Sequence, residues 1–289
     1  MFICPRTRGP LSGLYSERAH FTYPTVDGVP ILLPDPRSLV DRLQDPGQTF
    51  PDLTRLSVPD AVTPHLPPSM LGAPSGLGQW FTQLGEETPE AVVVSFGSRH
   101  APPGPALDLG CGVGVLARRM VASGRMTWAM DIRADAVVTA KRLLTGQMNV
   151  ALIPTHRQGT RRVKVPFKPI LTDLAFCVGD ATLPPFAPES FSWVDMGDVL
   201  DTYGESAPEA MVEATALVQH GGVLTVATGY GSLGAAGEGS PGPDEELLEA
   251  MTALGLVLVD QRDRVPWVSR DYDRSWRIRF SHCMAFRKN

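Results

Sequence analysis

Between residues 106 and 116 the chain reads Ala-Leu-Asp-Leu-Gly-Cys-Gly-Val-Gly-Val-Leu: an apolar strand, a glycine-dense turn and the start of a helix. Glycines at 110, 112 and 114 let the backbone pass close to a ligand and leave amides free at a helix N-terminus. A dinucleotide fingerprint would need its third glycine at position 115, where this chain has Val115. Asp108, just before the turn, would sit badly beside a pyrophosphate. The preferred ligand therefore carries a cationic or neutral group. Cys111 has no neighbouring base to make it a nucleophile and reads as a small packed residue.

Further acids follow at the ends of later strands. Ala129-Met130-Asp131-Ile132 places a carboxylate whose two oxygens could hold both hydroxyls of a ribose. Val178-Gly179-Asp180-Ala181 places another that can accept from an exocyclic amine such as that of adenine. The fourth strand ends in Val194-Asp195-Met196-Gly197-Asp198. Glycine or acid at four successive strand ends points to one pocket at the C-terminal edge of a sheet.

The elements that must hold these residues follow from the chain's texture. Of its 27 prolines, 17 lie before Ala106, which separates an irregular N-terminal third from the rest. Residues 1–36 read as a small β unit, with Asp27-Gly28 forming a hairpin turn between Thr25-Val26 and Val29–Leu33. Residues 37–75 read as a proline-rich linker. In the main domain, 76–289, helices are expected at Gly76–Leu84 and Pro89–Phe96, the latter made ambiguous by Val92-Val93-Val94. Strands are expected at Ala106–Leu109, Met126–Met130, Leu174–Val178, Phe191–Met196, Val223–Thr228, Leu256–Asp260 and Ile278–Phe286. Helices at Gly114–Ala122, Ala134–Leu144, Pro208–Val218 and Asp244–Leu254 alternate with them. The pattern predicts an α/β fold with a doubly wound, mostly parallel seven-stranded sheet whose last two strands form an antiparallel hairpin. An inserted segment, 147–173, is basic over 156–168, with Val163, Val165 and Phe167 alternating along a strand. The glycine-rich stretch 229–243 is placed to cover the pocket as a lid.

Leu107–Gly114, Asp131, Gly179-Asp180-Ala181 with Leu183-Pro184-Pro185-Phe186, and Gly221-Gly222 before a strand resemble, in order, the motifs of class I S-adenosylmethionine-dependent methyltransferases. The resemblance spans roughly residues 100–289. It implies S-adenosylmethionine as cofactor and S-adenosylhomocysteine as product. It places Asp108, Gly110, Cys111, Gly112 and Gly114 by the methionine part, Asp131 on the ribose, Ile132, Asp180 and Ala181 around the adenine, and Met196 near the transferable methyl. Asp198 is the first candidate for orienting or deprotonating the acceptor, and Tyr203 the second. His220 replaces the usual proline before Gly221-Gly222.

Residues 1–36, through Ile3-Cys4-Pro5, Gly9-Pro10-Leu11 and Tyr23–Leu33, resemble the zinc-ribbon-like proteins that activate certain methyltransferases. Where that family has four cysteines this chain offers Cys4, Thr7, Glu17 and His20, so no bound metal is expected. The unit could serve a protein partner or self-association. A net charge of −5 gives no global field for nucleic acid, and four scattered cysteines suit a reducing, cytoplasmic setting. No apolar run is long enough to cross a bilayer. A small-molecule acceptor is the leading expectation. RNA, ribosomal or transfer, contacted through 156–168, and a non-catalytic cofactor-binding regulator are the alternatives.

Overall fold

The computed structural model describes residues 2–37, 88–155, 159–165, 168–197, 199–230, 243–272 and 275–289. The expected linker from residue 38 on, the helix at Gly76–Leu84, most of the glycine-rich stretch and Asp198 lie outside these residues.

The N-terminal unit contributes β1 (Tyr15–Ser16), β2 (Phe21–Thr22), β3 (Thr25–Val26) and β4 (Val29–Leu32). Asp27 and Gly28 both have positive φ, 52° and 68°, the tight hairpin turn expected of that dipeptide. The main domain opens with α1 (Pro89–His100) and continues through β5 (Ala106–Leu109), α2 (Val115–Ala122), β6 (Thr127–Asp131) and α3 (Ala134–Leu144). The insertion supplies β7 (Val150–Pro154) and β8 (Thr160–Lys164). Then come β9 (Leu174–Gly179), β10 (Phe191–Asp195), α4 (Val199–Tyr203), α5 (Ala207–Leu217) and β11 (Val218–Thr228). The chain closes with α6 (Pro243–Ala253), β12 (Leu256–Tyr272) and β13 (Ser275–Lys288).

The main sheet has the order β12-β13-β11-β10-β5-β6-β9-β4-β3. The strands from β11 to β4 are parallel, β13 runs antiparallel beside β11, and β12 pairs antiparallel with β13. All seven strands expected from the sequence are present. The expected boundary between a β appendage and a separate sheet domain is not: β4 pairs in parallel with β9, Ile31 opposite Val178, and so extends the main sheet to nine strands. Edge strands seek partners, and the N-terminal hairpin covers the β9 edge. Val26, Val29 and Ile31 pack with Val137 and Val138 of α3, while Arg142 pairs with Asp27 at 3.0 Å. Phe2 lies 4.9 Å from the Trp128 ring and 5.4 Å from that of Phe186. Cys4 is buried with its Sγ 3.1 Å from the Tyr23 hydroxyl, whereas Glu17 and His20 face solvent. No metal-binding cluster of His, Cys, Asp and Glu occurs among the described residues.

The ambiguous segment after Thr88 is a helix through His100. The Thr88 hydroxyl accepts from the Ala91 amide and Pro89 occupies the first turn, which offsets the low helix propensity of three successive valines. Val92, Val93 and Phe96 are buried against Val223, Val265 and Cys283, and Arg99 and His100 both reach Asp260. The basic insertion is a hairpin. Val165 packs with Ala151 and Ile153 over Val113 and Val115, while Arg161, Arg162 and Lys164 are exposed.

Because Ile31 is fully buried in the shared sheet, Ile31→Ala should lower global stability by about 2–4 kcal/mol. Urea unfolding followed by tryptophan fluorescence checks this, since Trp193 is buried in the sheet's centre. A transition left unmoved would show that the N-terminal hairpin folds independently.

Candidate active site

The glycine turn after β5 is shaped by three different demands. At Gly114 φ is 79°, and an added Cβ would come within 2.7 Å of Leu144 on α3. Gly112 has φ 51° with nothing within 4 Å of the corresponding point, so its open side faces the cavity. Gly114, as N-cap of α2, offers no side chain. Asp108 takes that role from the neighbouring strand, accepting the Ala117 amide at 2.8 Å.

Asp108, Asp131 and Asp195 stand at the C-terminal ends of adjacent strands around one cavity of ≈570 Å³. Burial pushes the Asp108 carboxyl well above the ordinary range, and the charge of Asp195 adds to it. Asp131 is also raised by burial, although it accepts the Gly112 and Arg133 amides, each at 2.9 Å. Asp195 is raised to about 6 by burial, against the opposing pull of the Thr225 hydroxyl at 2.5 Å and the Gly197 amide at 2.7 Å. Desolvated carboxylates grouped in this way favour a cationic ligand.

Among the expected site residues, the structure brings Asp108, Gly110, Cys111, Gly112, Asp131 and Ile132 to the cavity wall, with Ala181 and Tyr203. Ile132 is 45% exposed, an apolar face left open to the cavity. Cys111 is buried and its thiol is pushed up by desolvation and by the charge of Asp108, consistent with a packed residue. Gly114, Asp180 and Met196 do not line the wall. Gly114 is turned against α3, and Met196 is fully buried in the hydrophobic core. Asp180 is occupied by the Thr182 amide and hydroxyl and by the Tyr203 hydroxyl at 3.2 Å. That hydroxyl also accepts the Ala181 amide at 3.1 Å, and burial pushes its pKa up to about 12. Tyr203 thus ties the end of β9 to α4.

The sequence reading missed the opposite wall. Pro89, Glu90 and Val93 come from α1, and Trp267, Arg279 and Ser281 from the last hairpin. The Oε2 of Glu90 and the Nε of Arg279 are buried without a hydrogen-bond partner among the described residues. Thr88-Pro89-Glu90 does carry a helix-start signature, and Arg279 and Ser281 alternate along one face of β13. Nothing local shows that these faces meet the glycine loop.

Residues 107–226 match the family described as methyltransferase domain, from within β5 to within β11. No curated protein matches the chain. Among solved structures, the chain is similar to a S-adenosylmethionine-dependent methyltransferase from Methanosarcina mazei, with 15% identity, 66% of this chain and 95% of that one covered, and TM-score 0.45. It is also similar to magnesium protoporphyrin IX methyltransferase from Synechocystis PCC 6803 with bound S-adenosylmethionine, with 16% identity, coverage of 74% and 92%, and TM-score 0.45. A TehB-like S-adenosylmethionine-dependent methyltransferase from Corynebacterium glutamicum matches with 17% identity, coverage of 74% and 96%, and TM-score 0.45. The cavity's residues fit S-adenosylmethionine: raised carboxylates suit a sulfonium, Asp131 offers acceptors for a ribose, and Ile132 with Ala181 offers an apolar seat for a purine.

The buried Asp195 gives a pH test. Its folded pKa lies above the ordinary 3.8, so the folded state binds more protons between about pH 4 and 6 and stability falls as pH rises through that window. Asp195→Asn removes this loss. Relative to wild type, the variant should gain about 2–3 kcal/mol between pH 4 and pH 7.5 in denaturant titrations. A difference independent of pH would contradict the burial of an ionisable Asp195.

Proposed function

We propose that the protein transfers the methyl group of S-adenosylmethionine to a nitrogen or oxygen of a small-molecule metabolite. The observation that carries this reading is a single cavity joining two unlike walls, the carboxylate-bearing strand ends and the face formed by α1 with the last hairpin. Its ≈570 Å³ falls in the size range of small-molecule sites. The cofactor supplies an electrophilic methyl on a sulfonium; the protein supplies orientation and electrostatics.

On the cofactor side, Asp131 holds the ribose hydroxyls, and the Gly110–Gly112 backbone admits the methionine portion. Ala181 and Ile132 flank the adenine, with Asp180 acting through Tyr203 to fix the Ala181 amide. Tyr203, with its hydroxyl already engaged and its pKa raised, serves here as a positioning residue and not as a base. On the acceptor side, the Glu90 carboxylate at the cavity wall is the group available to orient the attacking N–H or O–H and take its proton. Asp198 stays a second candidate from sequence. The exposed Arg161, Arg162 and Lys164 of β8 favour RNA as the alternative acceptor.

Labelled methyl transfer into a metabolite pool, with an RNA pool in parallel, tests the acceptor class. Label appearing only in RNA would replace the metabolite reading, and tight cofactor binding without transfer to either pool would favour a regulatory role. Asp131→Ala should weaken S-adenosylhomocysteine binding at least about tenfold by calorimetry, through loss of charge-assisted hydrogen bonds. Unchanged affinity would overturn the placement of the ribose. Glu90→Gln should lower the transfer rate by about a hundredfold while leaving cofactor affinity within twofold. An unchanged rate would remove Glu90 from the chemistry.

A further inference from the structure

The last hairpin is longer than the sheet needs. β13 pairs with β11 only as far as His282 opposite Thr228, and beyond that point β12 and β13 continue as a two-stranded arm. Since Thr228 ends β11 at the C-terminal edge of the parallel strands, the arm projects over the cavity. Trp267 and Arg279 are direct cross-strand partners on it, which brings the guanidinium carbon to 3.8 Å from the indole centroid. Ser281, two residues along, lies on the same face, and all three line the cavity.

Arg279 has no ion-pair partner among the described residues, and its Nε is buried without an acceptor. Leaving a buried charged donor unsatisfied is costly. Stacking on Trp267 holds the guanidinium plane in place while leaving its edge free. With Nε shut off from solvent, that edge is the pair of terminal nitrogens, which matches the two oxygens of a carboxylate or phosphate.

The cation also lies on the correct side of the cavity to meet the acceptor. β13 is three strands from β5, or roughly 14 Å at the usual inter-strand spacing, and the carboxylates that suit a sulfonium lie on β5, β6 and β10. The exposed Arg161, Arg162 and Lys164 of β8 belong to the hairpin that packs on Val113 and Val115 beside the cavity, and β7 of that hairpin touches β12. An anion approaching the cavity from this side meets positive charge first.

We propose that the methyl acceptor is a small organic anion whose carboxylate or phosphate is seated on Arg279, over Trp267. This rests on the methyltransferase reading above and narrows its acceptor class. With the anionic end held there, the acceptor's nucleophile faces Glu90. Its lone pair forms the new bond to the methyl carbon, the sulfur–carbon bond breaks with its electron pair going to sulfur, and the proton released from N–H or O–H passes to the Glu90 carboxylate.

The test is calorimetric binding of benzoate, phenyl phosphate and neutral benzamide to the full chain loaded with S-adenosylhomocysteine. At least one of the two anions should bind, and which one binds separates a carboxylate from a phosphate acceptor. Benzamide should bind at least about tenfold more weakly, and Arg279→Met should weaken the binding anion by about ten- to hundredfold, with partial recovery in Arg279→Lys. S-adenosylhomocysteine affinity should stay within twofold in both variants, which also shows that they fold. The proposal is overturned if benzamide binds as well as the anions, if neither anion binds, or if Arg279→Met weakens S-adenosylhomocysteine as much as the anion, since Arg279 would then hold the cofactor's own carboxylate. Failure of S-adenosylhomocysteine to bind the wild-type chain would instead bring down the methyltransferase reading.

Discussion

Three carboxylates held out of water at adjacent strand ends are the constraint around which this molecule is organised. Asp108, Asp131 and Asp195 would repel one another and resist burial, and each is retained by donors that the surrounding turns present. Asp108 takes the third amide of α2, Asp131 takes Gly112 and Arg133, and Asp195 takes Gly197 and the Thr225 hydroxyl. These bonds fix the glycine turn, the start of α2 and the exit of β10 relative to one another. A cationic ligand would relieve the remaining electrostatic cost, so the burial of these groups suits the site to positive charge.

The rest of the chain closes around that edge from two directions. On one side, the N-terminal hairpin adds β4 to β9 and packs Phe2 against Trp128 and Phe186, so residues 2–36 complete the sheet flank formed by β6 and β9. On the other, α1 lies on the face made by β11, β12 and β13, carrying Glu90 to the cavity wall. The long final hairpin then overhangs the cavity with Arg279 and Trp267. The two walls differ in charge because they come from different elements: strand ends rich in acid, and a hairpin arm that ends in a stacked cation.

The glycine turn and the acids at strand ends were legible in the sequence. Glycine spacing, strand-end acids and the Asp27-Gly28 turn are set by backbone conformations a few residues long, which short sequence windows capture. Pro89–His100 was harder, because three valines suit a strand as well as a buried helix face, and only its packing on β11 and β13 settles the matter. Asp180 shows a different limit. It follows the end of β9 as expected, but its Oδ1 accepts from Tyr203 and Thr182, and it does not line the wall.

By itself the sequence determined the alternating α/β architecture, the glycine turn and the acids at strand ends, since these follow from local propensity and period-2 or period-3.6 patterning. The tertiary structure alone decided that β4 joins β9, that Tyr203 fixes the Ala181 amide, and that Glu90 and Arg279 line the same cavity as the glycine loop. Those pairings join residues far apart in the chain, through strand register and helix docking. Register depends on which edge and which face are left to cover once the core has formed, and no local window of residues carries that information.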